Sequence, residues 1–73
     1  MNNIDDIKLK YYLVIIKIAV NKLNISYFDA IEAFYKSGIR EIIESDLEVS
    51  LHQDPEEWLE NIEAYLKTYK SVI

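Results

Sequence analysis

The sequence predicts an all-α protein, a small bundle of three to four helices with one short extended segment before the last helix. Three observations predict it. Apolar residues recur at spacings of three and four over most of the chain. Two helix starts are written out, at Ser26 and at Asp54-Pro55. The only glycine, Gly38, stands where a helix should stop.

The first helix is expected from Ile4 to Lys22. Placed at 100° per residue, its apolar side chains cover an arc of roughly 260°, where a surface helix needs little over 100°. Only Asp6, Lys10, Lys17 and Asn21 form a polar stripe. The period-two alternation of a strand is missing, so the β-branched residues do not overturn the helix. A helix this apolar lies centrally or is covered on two sides. The side carrying Ile7, Tyr11, Ile15 and Ile18 is the expected contact with the rest of the fold. Leu9, Leu13, Ile16 and Val20 then form a second stripe, left partly open, and are the candidate interface.

Asn24-Ile25-Ser26 interrupts the pattern. Ser26 is a good N-cap, and Asp29 three residues on completes a shortened capping box. The second helix is expected over Tyr27 to Ser37, presenting Tyr27, Phe28, Ile31, Phe34 and Tyr35, and Gly38 suits the left-handed position after it. Ile39 to Glu44 reads as a short helical turn with Ile39, Ile42 and Ile43 inward. From Leu47 the period changes: Leu47, Val49 and Leu51 alternate with Glu48, Ser50 and His52, as in a half-buried extended segment. In the last helix Asp54 caps, Pro55 takes the first position and Glu57 closes the box. Glu56 and Glu57 suit the positive end of its dipole, Lys67 and Lys70 the negative end. Its inward face is Trp58, Leu59, Ile62, Tyr65, Leu66 and Tyr69. Val72 and Ile73 fray or serve a partner. With no linker and no repeat, residues 1–73 read as one helical domain.

Composition narrows the chemistry. A domain of 73 residues buries only about 60% of its extended-chain surface and commonly needs outside support. Cysteine is absent and histidine occurs once, which rules out disulfides, thiolate metal sites and a histidine-rich zinc site. Oligomerisation or a protein partner is the support left. The opening residues are polar and acidic where a secretory signal needs positive charge. The longest apolar run, Tyr11 to Ile16, is too short for a bilayer. The expectation is a cytoplasmic protein with no membrane partner. Charge is uneven: from Asp29 to Glu63 eleven acidic residues face only Lys36 and Arg40, a local balance of −9. Such a field repels phosphate backbones and suits a basic surface on a protein, so nucleic acid is not the expected partner.

No motif asks for a cofactor, and none is expected. His52 is the one catalytic suspect, but a working histidine needs an orienting acid and a nucleophile to serve. Ser26, Ser37, Ser45 and Ser50 sit where caps, turns and surfaces explain them. The expectation is therefore no enzyme. His52 and Asp54 are read as a structural loop tying the segment before the last helix. The six tyrosines, two phenylalanines and one tryptophan serve the core and, in part, an interface.

Taken together, Leu23-Asn24-Ile25-Ser26, the glycine turn Tyr35-Lys36-Ser37-Gly38-Ile39, the pair Leu51-His52 and the closing Ile62-Glu63-Ala64-Tyr65-Leu66 have a familiar order. The chain resembles the small bacterial proteins of domain-of-unknown-function family 3791 over about residues 9–67. It departs from them around Leu51-His52, where members often carry a tyrosine and a threonine and this chain has Glu48-Val49-Ser50 and Gln53-Asp54-Pro55. Genes of that family often stand beside genes for ADP-ribosyltransferase-like toxins. The resemblance implies an antitoxin-like or accessory role and no catalytic residues. Two functional expectations follow: a non-catalytic protein-binding module, antitoxin-like, or a homo-oligomeric structural or regulatory accessory protein of a phage or mobile element. In either case the surplus apolar surface of the first helix predicts a homodimer for the isolated chain.

Overall fold

The structure, a computed structural model, describes residues 3–70. It is an all-helical small bundle: α1 (Asn3–Leu23), α2 (Tyr27–Lys36), α3 (Ile39–Ser45), α4 (Leu47–Leu51) and α5 (Leu59–Tyr65). A 3-10 turn, Pro55–Trp58, leads into α5, and a wider π turn, Leu66–Lys70, extends it. Val72 and Ile73 lie outside the described residues. No described residue is in a strand, and no described helix is long and apolar enough to cross a membrane.

At 1.5 Å per residue α1 is about 31 Å long, and it sets the long dimension of a 38 × 19 × 19 Å body. The other elements fold back along it. Ser26 accepts the Asp29 N–H on its Oγ at 3.0 Å, starting α2 as the sequence requires. Asn24 turns the chain ahead of it with φ +55°, a left-handed conformation that asparagine tolerates. Gly38 turns it again with φ +85°. Asp54 accepts the Glu56 N–H on Oδ1 at 3.0 Å and starts the 3-10 turn, with Pro55 at its head.

The core is one cluster. It holds Tyr11, Tyr12, Ile15, Ile16 and Ala19 of α1, Ile25 of the first turn, Ala30, Ala33 and Phe34 of α2, Ile39 and Ile43 of α3, and Trp58, Ile62 and Leu66 of the last segment. Four details differ from the sequence reading. The buried side of α1 is rotated toward Tyr12, Ile16 and Ala19; Ile7 is exposed and Ile18 only half-buried. In α2 the two alanines and Phe34 face inward while Tyr27, Phe28, Ile31 and Tyr35 face out, because α2 meets both α1 and α5 and small residues let helices approach. Ile42 and Tyr69 also point to solvent.

The fourth difference is the expected extended segment, which is the helix α4. Leu47 and Leu51 alternate with polar residues, but they are also four apart, so both pack on the core from one helical face while Val49 points out. A lone strand in an all-helical fold has no ladder for its N–H and C=O groups. The helical turn satisfies them locally, as where the Ser50 N–H donates to the Asp46 carbonyl at 3.0 Å.

Candidate interaction site

Four polar links fix how the elements stand around α1. On one edge the Trp58 indole N–H donates to the Tyr11 hydroxyl at 2.9 Å, and that hydroxyl donates to the Gln53 carbonyl at 3.0 Å. Burial pushes the Tyr11 pKa up, against the lowering effect of the indole N–H. On the same edge Lys22 pairs with Glu56 at 3.1 Å. On the other edge Tyr12 stacks against Phe34, ring centroids 5.1 Å apart, and donates its hydroxyl to Glu44 at 2.8 Å. Burial, and then that bond, push Tyr12 up to about 12. The Tyr12 hydroxyl and then Arg40, whose Nε donates at 3.0 Å, hold the Glu44 carboxyl below the usual carboxylate range. Finally, Glu32 of α2 receives Lys70 at 2.7 Å and Lys36 at 3.2 Å, which joins α2 to the end of the chain.

These anchors orient the outward surface. The last segment lies along the Tyr11 side of α1, and α2 lies along the Tyr12 side. Turning past Tyr12 and Ile16 at about 100° per residue, the next apolar positions of α1 are Leu9, Val20 and Leu13. On α2, turning past Phe34 in the sense leading away from α5, the next are Tyr27, Ile31, Tyr35 and Phe28. Since α1 and α2 run antiparallel, both sets emerge on the same side of the hairpin. Exposure of the six most open members runs from 43% at Ile31 to 73% at Phe28, with Leu9 at 55% and Leu13 at 49%. No charged residue falls within this arc of either helix. Tyr35 is held at its end by an edge contact with Phe34, centroids 5.1 Å apart, and by the Arg40 guanidinium 6.0 Å above its ring.

Of the four stripe residues expected from sequence, the structure places Leu9 and Leu13 on this open face. Val20 is partly buried against the core, and Ile16 belongs to the core itself, 5% exposed. Ile16 sits on the seam between α1 and α2, and the wheel of α1 alone does not place that seam. The half of the face on α2, Tyr27, Phe28, Ile31 and Tyr35, is apolar in the sequence, which does not say on which side it stands. Its solvent orientation has one local signal, the buried pair Ala30 and Ala33 on the opposite side of the helix.

The other candidates fare differently. Asp54 is the cap expected of it. His52 is exposed and ends α4, its backbone N–H donating to the Val49 carbonyl at 3.1 Å. The next residue, Gln53, is held to α1 through its carbonyl, which accepts from Tyr11. That bond joins residues 42 apart in sequence and leaves no local trace. Ser26 caps α2, Ser37 and Ser45 donate to the carbonyls of Phe34 and Ile42, and Ser50 is buried. Among the described residues no three histidine or acidic side chains are grouped to hold a metal ion. Two open depressions mark the surface. One is acidic, lined by Asp54, Glu56, Glu57 and Glu60; the other runs between the end of α2 and the last segment, beside Lys36, Asn61, Tyr65 and Tyr69.

Compared with protein-family models, with curated proteins and with solved structures, the chain matches none.

Proposed function

We propose that the protein is a non-catalytic protein-binding module of the bacterial cytoplasm, the antitoxin-like or accessory partner of a toxin. The observation that carries this reading is the uncovered apolar face of the α1–α2 hairpin. Contiguous aromatic and aliphatic surface without charge is the composition of an interface centre rather than of ordinary protein surface. Tyrosine and phenylalanine on a rigid helix contribute large contact area at small entropic cost. Most acidic groups stand on α3, α4, the turns beside them and the last segment, where they would draw a partner with a basic surface; Asp5, Asp6, Asp29 and Glu32 lie on α1 and α2 outside the apolar arc. The toxin-linked version rests only on the order of short motifs in the sequence, Leu23-Asn24-Ile25-Ser26, the Gly38 turn and Leu51-His52.

Co-expression with the product of the neighbouring gene, followed by affinity capture, tests the proposal. The expected result is a soluble complex of fixed stoichiometry and loss of the neighbour's toxicity. Failure to bind or neutralise any neighbouring product overturns the antitoxin-like role. The competing reading, a homo-oligomeric accessory factor, draws support from the same face, where the Arg40 guanidinium at Tyr35 is the charge at its edge and the rest is apolar, since a self-complementary surface needs no opposite charge.

A further inference from the structure

We infer that in the isolated protein a second copy of the chain closes the face formed by Leu9 and Leu13 of α1 and Tyr27, Phe28, Ile31 and Tyr35 of α2, giving a four-helix core between two hairpins. The inference rests on the protein-binding reading of this face and names what covers it when no other partner is present.

Area argues for a second copy. Half-exposed large side chains contribute about 100 Å² each, so six give roughly 600 Å², before any contribution from their neighbours. A standard-size interface takes about 800 Å² from each partner. The face is thus close to a whole dimer interface, and well beyond the scattered apolar exposure normal on a surface.

Shape argues the same way. Tyr27, Ile31 and Tyr35 follow at spacings of four and make one ridge, and Leu9 and Leu13, also four apart, make another. A two-fold axis along the hairpin lays α1 of one copy over α2 of the other. The aliphatic ridge then meets the partner's aromatic ridge twice, by symmetry. Charge does not oppose this. The chain carries a net −5, but Asp54, Glu56, Glu57 and Glu60 ride on the last segment, along the opposite edge of α1. A basic partner has no acid to find within the face itself.

Light scattering after size exclusion reads the state directly. The expected mass is twice 8.6 kDa at micromolar concentration. Phe28→Glu with Ile31→Glu should weaken dimerisation at least tenfold, while Val14→Glu, on the other flank of α1, leaves it unchanged. Because the chain has no cysteine, single thiols give a second, gentler reading. Ile31→Cys should cross-link two copies with a short bismaleimide, and Val14→Cys should not. A wild-type mass of 8.6 kDa across the concentration range overturns the dimer, and capture of the neighbouring gene product still decides the protein-binding reading separately. A dimer that survives the glutamate pair, with Val14→Cys cross-linking in place of Ile31→Cys, overturns this face.

Discussion

Tyr11 and Tyr12 are adjacent, yet each hydroxyl locks a different side of the molecule to α1. Tyr11 serves as acceptor for Trp58 and donor to Gln53. Trp58→Phe removes the donor and leaves Tyr11 its other bond, so it should cost about 1 kcal/mol in urea denaturation. Tyr11→Phe strands both the buried indole N–H and the carbonyl, and should cost more, about 2–3 kcal/mol. A smaller loss for Tyr11→Phe than for Trp58→Phe would place the strength of the network elsewhere. Tyr12 and Glu44 titrate at opposite ends of the pH scale. The Glu44 carboxyl has a lowered pKa in the folded protein. Its contribution is full above the unfolded value of about 4.3 and disappears as pH falls through the lower folded value. Tyr12 is pushed up to about 12. Its contribution is full below the unfolded value of about 10 and is lost as pH rises from there toward the folded one. Thermal melts should therefore show stability falling on both flanks. Glu44→Gln should lessen the acid loss, and Tyr12→Phe should lessen the alkaline one.

Among the elements, the helix boundaries rest on single residues whose cost can be measured. Gly38 has φ +85°, and a Cβ there would meet nothing within 4 Å. Gly38→Ala should then cost only the backbone strain, about 1–2 kcal/mol, and Gly38→Asn less, because asparagine visits the left-handed region. If alanine proves neutral in thermal melts, the turn relaxes to another conformation. Ser26 offers a parallel case at the start of α2, where Ser26→Ala should cost about 1 kcal/mol. The α4 helix teaches a different lesson. Five residues with apolar side chains at the first, third and fifth positions satisfy both the strand period and the helical spacing of four. The decision falls to the backbone, which finds its partners within a helical turn and would find none as a lone strand.

At the scale of the whole molecule, stability and assembly depend on which apolar residues are inside. Domains of this length hold roughly 4–11 kcal/mol in total. Ile16 is in the core on the seam with α2, and Leu13, about 60° further round α1, is on the open face. Ile16→Ala should cost about 2–5 kcal/mol. Ile16→Glu should abolish the helical circular dichroism signal, while Leu13→Glu should keep it and lose only assembly. Loss of helical signal in both variants would mean that Leu13 is a core residue and the face is smaller than drawn. Retention in both would remove Ile16 from the core.

Apart from α4, the sequence by itself determined the local structure. Ser26, Gly38, Asp54 and Pro55 act on the backbone within a few residues of themselves, so the helix boundaries and the all-helical class were legible from them. It also determined that α1 is too apolar to stand alone, because that is a count over one helix. Which side of α1 and α2 meets the core was decided only by the tertiary structure. Each helix carries apolar residues over more of its circumference than its neighbours can cover, so its own period cannot say which part stays open. The answer lies in contacts between distant residues: Tyr11 with Gln53 and Trp58, Tyr12 with Phe34 and Glu44, Glu32 with Lys70. Those contacts rotate α1 by about one residue from the position its wheel predicts and turn the large side chains of α2 outward. The open face results from that rotation.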